Sequence, residues 1–557
     1  MYRELTEIEK EQLEIQGCRC HDWSNIEVAE DFTPLHIYNT FFEGHIRIGA
    51  DCRIINVGII RSTPEATFGE GVTISVLNEA GDGNLVLYSD LTAQMAALMV
   101  RNACDTAVWE RLKGMVMQEI DITRQPCTTI GDGVSITDTR ELTNVIIGDK
   151  CEITGAARLS ECTLKSTSEA SILVSDGVIC DNCIIQAGSS VTDFAKLYDS
   201  FVGEACHIGR GFTSENSVFF ANSHMDNGES CAALCGPFSV SHHKSTLLIG
   251  GEYSFYNAGS GTNFSNHAYK MGPIHWGTLM RGSKTASGSH TLWPAQIGTF
   301  SMLMGKIQSH PDTRKLPFSY LIAHENGTYL VPGRNLTTVG TYRDIEKWQK
   351  RDRRPKNGRK SLVQYDWLNP LVIRQCIDGI QTLEQLQNEQ GEDVAAYQYN
   401  GTLIKNQSLQ KGIRYYDLAL RMAMLAALEE HEAALPHSTV GAGEWTDLLG
   451  MLAPKAEVDS ILNDIRSGEL ADISDVAAAL EHIHNDYAEH KWAAAYRTIL
   501  DYKGLDSLTE DDRECLLQEF AAARREWLDS IRCDAEREHA LGDVEDSTLK
   551  DFIGKIN

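Results

Sequence analysis

From about residue 46 the apolar and polar positions follow a pattern that belongs neither to a helix nor to a plain strand. IGADCR (48–53), FGEGVT (68–73), IGDGVS (130–135), IGDKCE (147–152), VGEACH (202–207) and IGRGFT (208–213) share one template. An aliphatic or aromatic residue comes first, glycine second, mostly polar or small residues follow, and the fifth place is small or apolar. Carried from Ile249 to Gln308, the same register gives ten blocks of six. Their fifth places are Tyr253, Gly259, Ser265, Met271, Gly277, Ser283, Ser289, Ala295, Ser301 and Ile307. Seven of the ten are Gly, Ala or Ser, where ordinary usage would supply about two or three. A period of six is neither 3.6 nor 2, so it predicts a short strand plus a turn, stacked as a solenoid. Small fifth residues suit the tight corners, apolar first residues such as Ile249, Phe255, Leu279, Ile297 and Leu303 fill the interior, and successive coils pair at about 4.8 Å.

Other patterns bound this repeat. Thr6 and Glu9 have capping-box spacing ahead of Leu13 and Ile15, predicting a short opening helix. Residues 84–126, containing LTAQMAALMVRNACDTAVWERLKGMVM, are rich in helix formers and read as a helical insertion hung from a coil. Between His224 and His243 the sixes slip, since Val202 and Ile249 are 47 positions apart, so a loop or bulge is expected there. After about residue 340 the sixes stop. Leu418, Met422, Leu425 and Leu428, then Leu516, Phe520, Ala523, Trp527 and Ile531, step by three and four as amphipathic helices do. The expected division is 1–45 as helix and lead-in, 46–340 as solenoid, and 341–557 as a basic junction and helical domain.

The blocks resemble the hexapeptide repeats of the left-handed parallel β-helix superfamily, many of whose members are acyltransferases. That resemblance, not the periodicity, implies three blocks per coil and a left-handed course against the usual right-handed crossover. The fold class expected is therefore a mainly β solenoid, a left-handed parallel β-helix, with a helical insertion and an α-helical C-terminal domain. The whole chain also resembles a bacterial family known as a domain of unknown function, through LTEIEKEQLEIQGC…DW, NFSNHAYKMGPIHWGT and RDIEKWQKRDRR.

Composition narrows the partners. The 557 residues carry a net charge of -28, which repels a phosphate backbone and disfavours nucleic acid. The opening is charged from its third residue, and no segment approaches the roughly 18–20 apolar residues that span a bilayer. A cytoplasmic protein without membrane partners is expected, and its 15 cysteines read as reduced thiols. Cys180 and Cys183 form a lone CxxC inside the repeat, read as packing.

Nine of the 18 histidines lie between His207 and His324. In the acyltransferases that the repeat resembles, an outward-facing His acts as general base on a sugar hydroxyl or amine as it attacks a thioester. The resemblance makes His275, in PIHWGT, the first candidate, then His290 and His267. Asn263, Asn266, Lys270, Trp276 and Arg281 are candidate substrate-binding groups. The competing reading is that these imidazoles bond neighbouring coils.

The stretch 347–360 packs eight basic residues into fourteen. Arg351, Arg353 and Arg354 are candidates to hold the phosphates of coenzyme A or a nucleotide sugar; a solvated junction paired with acidic neighbours is the alternative. His224, Cys231, Cys235, His242 and His243 have the residue types of a zinc site at the register slip. A carbonic anhydrase branch of the superfamily pairs histidines five apart, and no H-x4-H occurs here. No G-x-S-x-G, G-x-G-x-x-G or P-loop is present. The function expected is acyl, simplest acetyl, transfer from acetyl-CoA or an acyl-carrier protein to a sugar or nucleotide sugar by a homo-oligomer, with a trimer favoured by resemblance. The alternative is a non-catalytic scaffold or small-molecule binding protein.

Overall fold

A computed structural model describes residues 2–79, 81, 83–265, 276–542 and 545–556. Its centre is a stack of short parallel strands in three ladders, visited in turn by the chain. One runs through Ile26–Ala29, Ile46–Ile48, Thr128–Ile130 and onward to Gln296–Ile297. A second runs from Ile37–Tyr38 and Arg53–Ile55 through Ser190–Val191, His207–Gly209 and His224–Asp226 to Val240–Ser241. A third links Arg19–Cys20 and Phe41–Glu43 with strands as far as Lys306–Ile307. The strands Glu141–Ile147, Arg158–Lys165, Ile179–Gln186 and Lys196–Val202 are long enough to serve the first and third ladders together.

Within each short strand the middle residue turns inward, and Ile54, Ile136, Ile153, Val174, Ile208 and Met225 are fully buried in one column. Burying such side chains stabilises by about 1.5–3 kcal/mol each. The corners need left-handed backbone, and Ala205, Asn222, Phe238 and Phe255 supply it at φ 53, 61, 56 and 48°. Asn accepts this region readily. The phenylalanines instead stack outward, Phe238 on Phe255 with ring centres 5.4 Å apart.

Four expectations change. Around the His207 region many paired residues are 17 apart rather than 18, as in Ile136↔Ile153 and His207↔His224, whereas 18 holds farther on, as in Leu234↔Glu252 and Thr278↔Gln296. The slip near His224 is absorbed by shortened passes of 16, Val218↔Leu234 and His224↔Val240, rather than by one bulge. The ten blocks from Ile249 are not one unbroken run, because Asn263 pairs with His290, 27 positions on. The ladders also begin before residue 46, at Arg19–Cys20 and Ile26–Ala29.

The insertion is helical as expected, Ala93–Arg101 and Thr106–Thr123, and it leaves Ile48 paired with Ile130 across 82 positions. The opening helix Glu7–Ile15 has its capping box, Thr6 accepting from the Glu9 N–H and Glu9 accepting from the Thr6 N–H at 2.8 Å. After the stack come the helix Val339–Lys347 and a helical region whose longest members are Asn406–Glu430 and Glu510–Leu541. Both expected apolar stripes are buried there. Eleven α-helices are present among the described residues, and none of them is long and apolar enough to cross a membrane. All 15 cysteines are free thiols.

Candidate functional site

On the second ladder, outward positions of neighbouring strands bring polar side chains into columns. Ser190, His207 and His224 are aligned residue for residue, and Gly209 is aligned with Asp226. The His207 and His224 rings lie 4.6 Å apart. His207 Nδ1 is 2.7 Å from Ser190 Oγ, while its Nε2 turns to Asp226 Oδ1 at 3.3 Å. His224 Nε2 sits 3.1 Å from Asp226 Oδ2. Asp226 is 3 % exposed, yet among the described residues its Oδ1 has no hydrogen-bond partner. Farther along the same face, the ring of exposed His242 is 6.0 Å from that of His224. Burial pushes the His207 and His242 imidazoles below their ordinary value, and the neighbouring rings push the same way. Both are then neutral near neutral pH.

These histidines line a cavity of about 510 Å³. Its opposite wall is the segment after the stack, with Lys347, Trp348, Arg351 and Arg353 facing in. Asn222, held at its left-handed corner, fixes that wall: its side-chain amide donates to Asp352 at 2.9 Å and accepts from the Arg353 N–H at 2.8 Å. Asp352 also accepts from Tyr365 and Arg354. Burial pushes its carboxyl up, but these donors outweigh burial and hold it well below the usual carboxylate range. Trp348 anchors the wall, its ring centre 4.7 Å from Phe255 and 5.8 Å from Phe300. Lys347 is paired with Asp344. Among the described residues, Arg351 and Arg353 have no ion-pair partner and leave positive charge facing the histidines.

The residues singled out from the sequence fall in different places. His267, His275, Asn266 and Lys270 lie outside the described residues. His290 and Asn263 are paired on the third ladder, away from this cavity, and the His290 Nε2 is 2.7 Å from Ser265 Oγ. Trp276 is half-buried and packs on the core beside the insertion. Arg281 is not available to a substrate: its buried guanidinium donates to Asp447 and to the carbonyls of Gln364 and Gly450 at 2.7–2.9 Å. Arg354 is likewise consumed, buried between Asp352 and Glu204 and donating to the Ser361 carbonyl. Only Arg351 and Arg353 of the three arginines reach the cavity.

The expected zinc set is divided. His224, His242 and His243 do come together, with the last two rings 4.4 Å apart. Cys231 is on the third ladder, its thiol pushed up to about 12 by burial and by Glu79. Cys235 points into the core on the first ladder. Strands on other ladders carry both thiols away from His224. Among the described residues, the grouping close enough to share an ion is His207, His224 and Asp226, with ligating atoms all within 4.8 Å of one another. His207 and Asp226 had a signal in the sequence, a 17-residue step to His224 and an H-x-D, but a period of six hides a step of 17.

Fold and cavity together define a class: a stack of short parallel strands with a His–Asp cluster under a basic, helix-borne wall. Within it, the chain belongs to the family described as Domain of unknown function (DUF4954), which matches residues 2–55 and 46–387. Residues 428–543 match a second family, Domain of unknown function (DUF6819). The chain is similar to an uncharacterized protein of Treponema pallidum (strain Nichols), 22% identical over 602 residues, covering 89% of this chain and 80% of that one.

Proposed function

We propose that the three ladders form a left-handed parallel β-helix and that the protein transfers an acyl group at the cavity between its second ladder and the basic wall. The donor is a thioester of coenzyme A or an acyl-carrier protein, and the acceptor is a hydroxyl or amine of a sugar or nucleotide sugar. The observation that supports this reading is the facing pair of walls, the imidazoles of His207, His224 and His242 on one side and, without an ion-pair partner among the described residues, Arg351 and Arg353 on the other. Guanidinium forks suit phosphate oxygens, so the donor's phosphates or the acceptor's diphosphate would rest against Arg351 and Arg353.

His242 is assigned the proton transfer because it lines the cavity with no carboxylate bonded to it among the described residues. It takes the acceptor's proton as the acceptor oxygen or nitrogen bonds to the thioester carbon. As the C–S bond breaks, the imidazolium returns that proton to the departing thiolate.

The test is thermal stability of the full chain against acetyl-CoA and a panel of nucleotide sugars, followed by thiol release. A ligand at 100 times its dissociation constant stabilises by about 2.7 kcal/mol. The expected result is a shift with donor that shrinks in Arg351→Ala and Arg353→Ala. His242→Ala should keep the shift and lose thiol release by about 10²–10⁴-fold. No shift with any donor or sugar would leave the scaffold reading in its place.

A further inference from the structure

We infer that His207, His224 and Asp226 form a binding site for a divalent first-row transition-metal ion, with Zn(II) the best match. Two imidazoles and one carboxylate are ligands that suit Zn(II). Around an ion with bonds of about 2.0–2.2 Å, tetrahedral ligand atoms stand about 3.3 Å from one another. Each ring nitrogen has its own Asp226 oxygen near that distance, Oδ1 at 3.3 Å from His207 Nε2 and Oδ2 at 3.1 Å from His224 Nε2, and one ligand atom from each of the three residues lies within 4.8 Å of the others.

Two independent features point to a ligand. The first is the buried Asp226 Oδ1, which among the described residues has no hydrogen-bond partner although the His207 ring nitrogen is 3.3 Å away. The second is Gly209. A Cβ there would sit 2.8 Å from His207 Nε2, 2.9 Å from Thr192 Oγ1 and 3.1 Å from Asp226 Oδ1. The absence of a side chain at this position keeps open the space between the His207 Nε2 and Asp226 Oδ1 ligand atoms.

The surroundings are those of a metal-bound imidazole. Ser190 Oγ is within hydrogen-bond distance of His207 Nδ1. If that nitrogen carries the proton, the Nε2 lone pair is left for the ion, the arrangement that orients ligating histidines generally. Arg210 does not fill the site: its Nε is 3.6 Å from Asp226 Oδ2, and its side chain is 66% exposed. Both histidines line the cavity, so an ion held by them would lie beside it, as in metal sites that act on substrates. An ion there would polarise a bound carbonyl or hydroxyl beside His242.

The experiment is calorimetric titration of chelator-stripped full-length protein with Zn(II), paired with the visible absorption of Co(II). One ion per chain with a tetrahedral Co(II) spectrum is expected for the wild type. Asp226→Asn and His224→Ala should abolish both signals, and Ser190→Ala should weaken binding by about 10–100-fold. Gly209→Ala keeps every ligand and places a methyl in the cradle, so it should also lose the ion while its circular dichroism and melting stay close to wild type. His290→Ala, on another ladder, should bind as the wild type does. Absence of stoichiometric binding, or binding unchanged in both Asp226→Asn and Gly209→Ala, overturns the site. These titrations contain no acyl donor: an ion bound without thiol release removes the acyltransferase reading and leaves the metal site standing.

Discussion

Arg281 has its whole guanidinium fork occupied, by Asp447, Gln364 O and Gly450 O, with its plane over Phe255 at 4.4 Å. It therefore ties a stack corner to two segments that follow the stack in sequence. Removing one partner of such a buried pair leaves a carboxylate and two carbonyls without their donor, at a cost of about 3–5 kcal/mol. Arg281→Ala is expected to lower the thermal midpoint clearly. Arg281→Lys, which keeps the charge but not the fork, should recover only part of that loss. Glu9 acts near the start of the chain. Its hydrogen bonds from Arg3, then from the Thr6 N–H and hydroxyl, outweigh burial and bring its pKa down to about 2. A carboxylate depressed in the folded state contributes stability that is full above its unfolded value and lost as pH falls through about 2. Glu9→Gln should speed hydrogen exchange in Glu7–Ile15 at neutral pH, by about 1 kcal/mol of protection. Wild type and variant should converge as pH falls toward 2.

At the scale of one pass through the stack, the difference between 18 and 17 residues decides which side chains meet. A six-residue template read from the glycines and apolar first places finds the strands, because inward residues such as Ile136 and Ile153 obey it locally. It misaligns the columns, because the corner takes one residue fewer than three blocks require. Hence His224 and His242 fell into one candidate set by residue type alone, whereas His207, Asp226 and Ser190 were not legible. The arginines failed for a different reason: a run of eight basic residues does not reveal that Arg354 is buried between two carboxylates while Arg351 and Arg353 face a cavity. The capping box and the helical stripes were fully legible, since each depends on spacing within one element. The corner phenylalanines set the next prediction. Trp348 packs on Phe255 and Phe300 and carries Arg351 and Arg353 with it. Trp348→Ala should destabilise by about 3–5 kcal/mol and weaken any anionic ligand of the cavity more than Lys350→Ala, which alters an exposed pair with Glu346 on the same segment. Equal effects would separate the wall's packing from its charge.

The two family matches, ending at residue 387 and beginning at residue 428, do not correspond to two separately packed bodies. One apolar cluster runs from Leu5 through the stack to Phe520, Trp527 and Ile556. The helix Glu510–Leu541 is fastened to the end of the stack by Trp527, whose indole N–H donates to the Leu336 carbonyl at 2.8 Å and whose ring lies 5.1 Å from Trp367. Asp534 on the same helix pairs with Arg334 and accepts from the Val339 N–H at 3.0 Å. Val339 begins the helix that leads into the basic wall, so the C-terminal helix braces the element that completes the cavity. Ending the chain at residue 427 would uncover Leu336, Trp367 and the stripe residues Leu418, Met422 and Leu425 at once, an apolar surface of the kind that aggregates. The shortened chain is expected to be insoluble or to melt far below the full chain. The milder Trp527→Ala should lower the melting temperature, and Asp534→Asn should loosen exchange in Val339–Lys347 with the rest of the stack unchanged. A soluble 1–427 chain with the full protein's melting temperature and its Zn(II) stoichiometry would instead make the second match an independent domain, and the cavity a property of the stack alone.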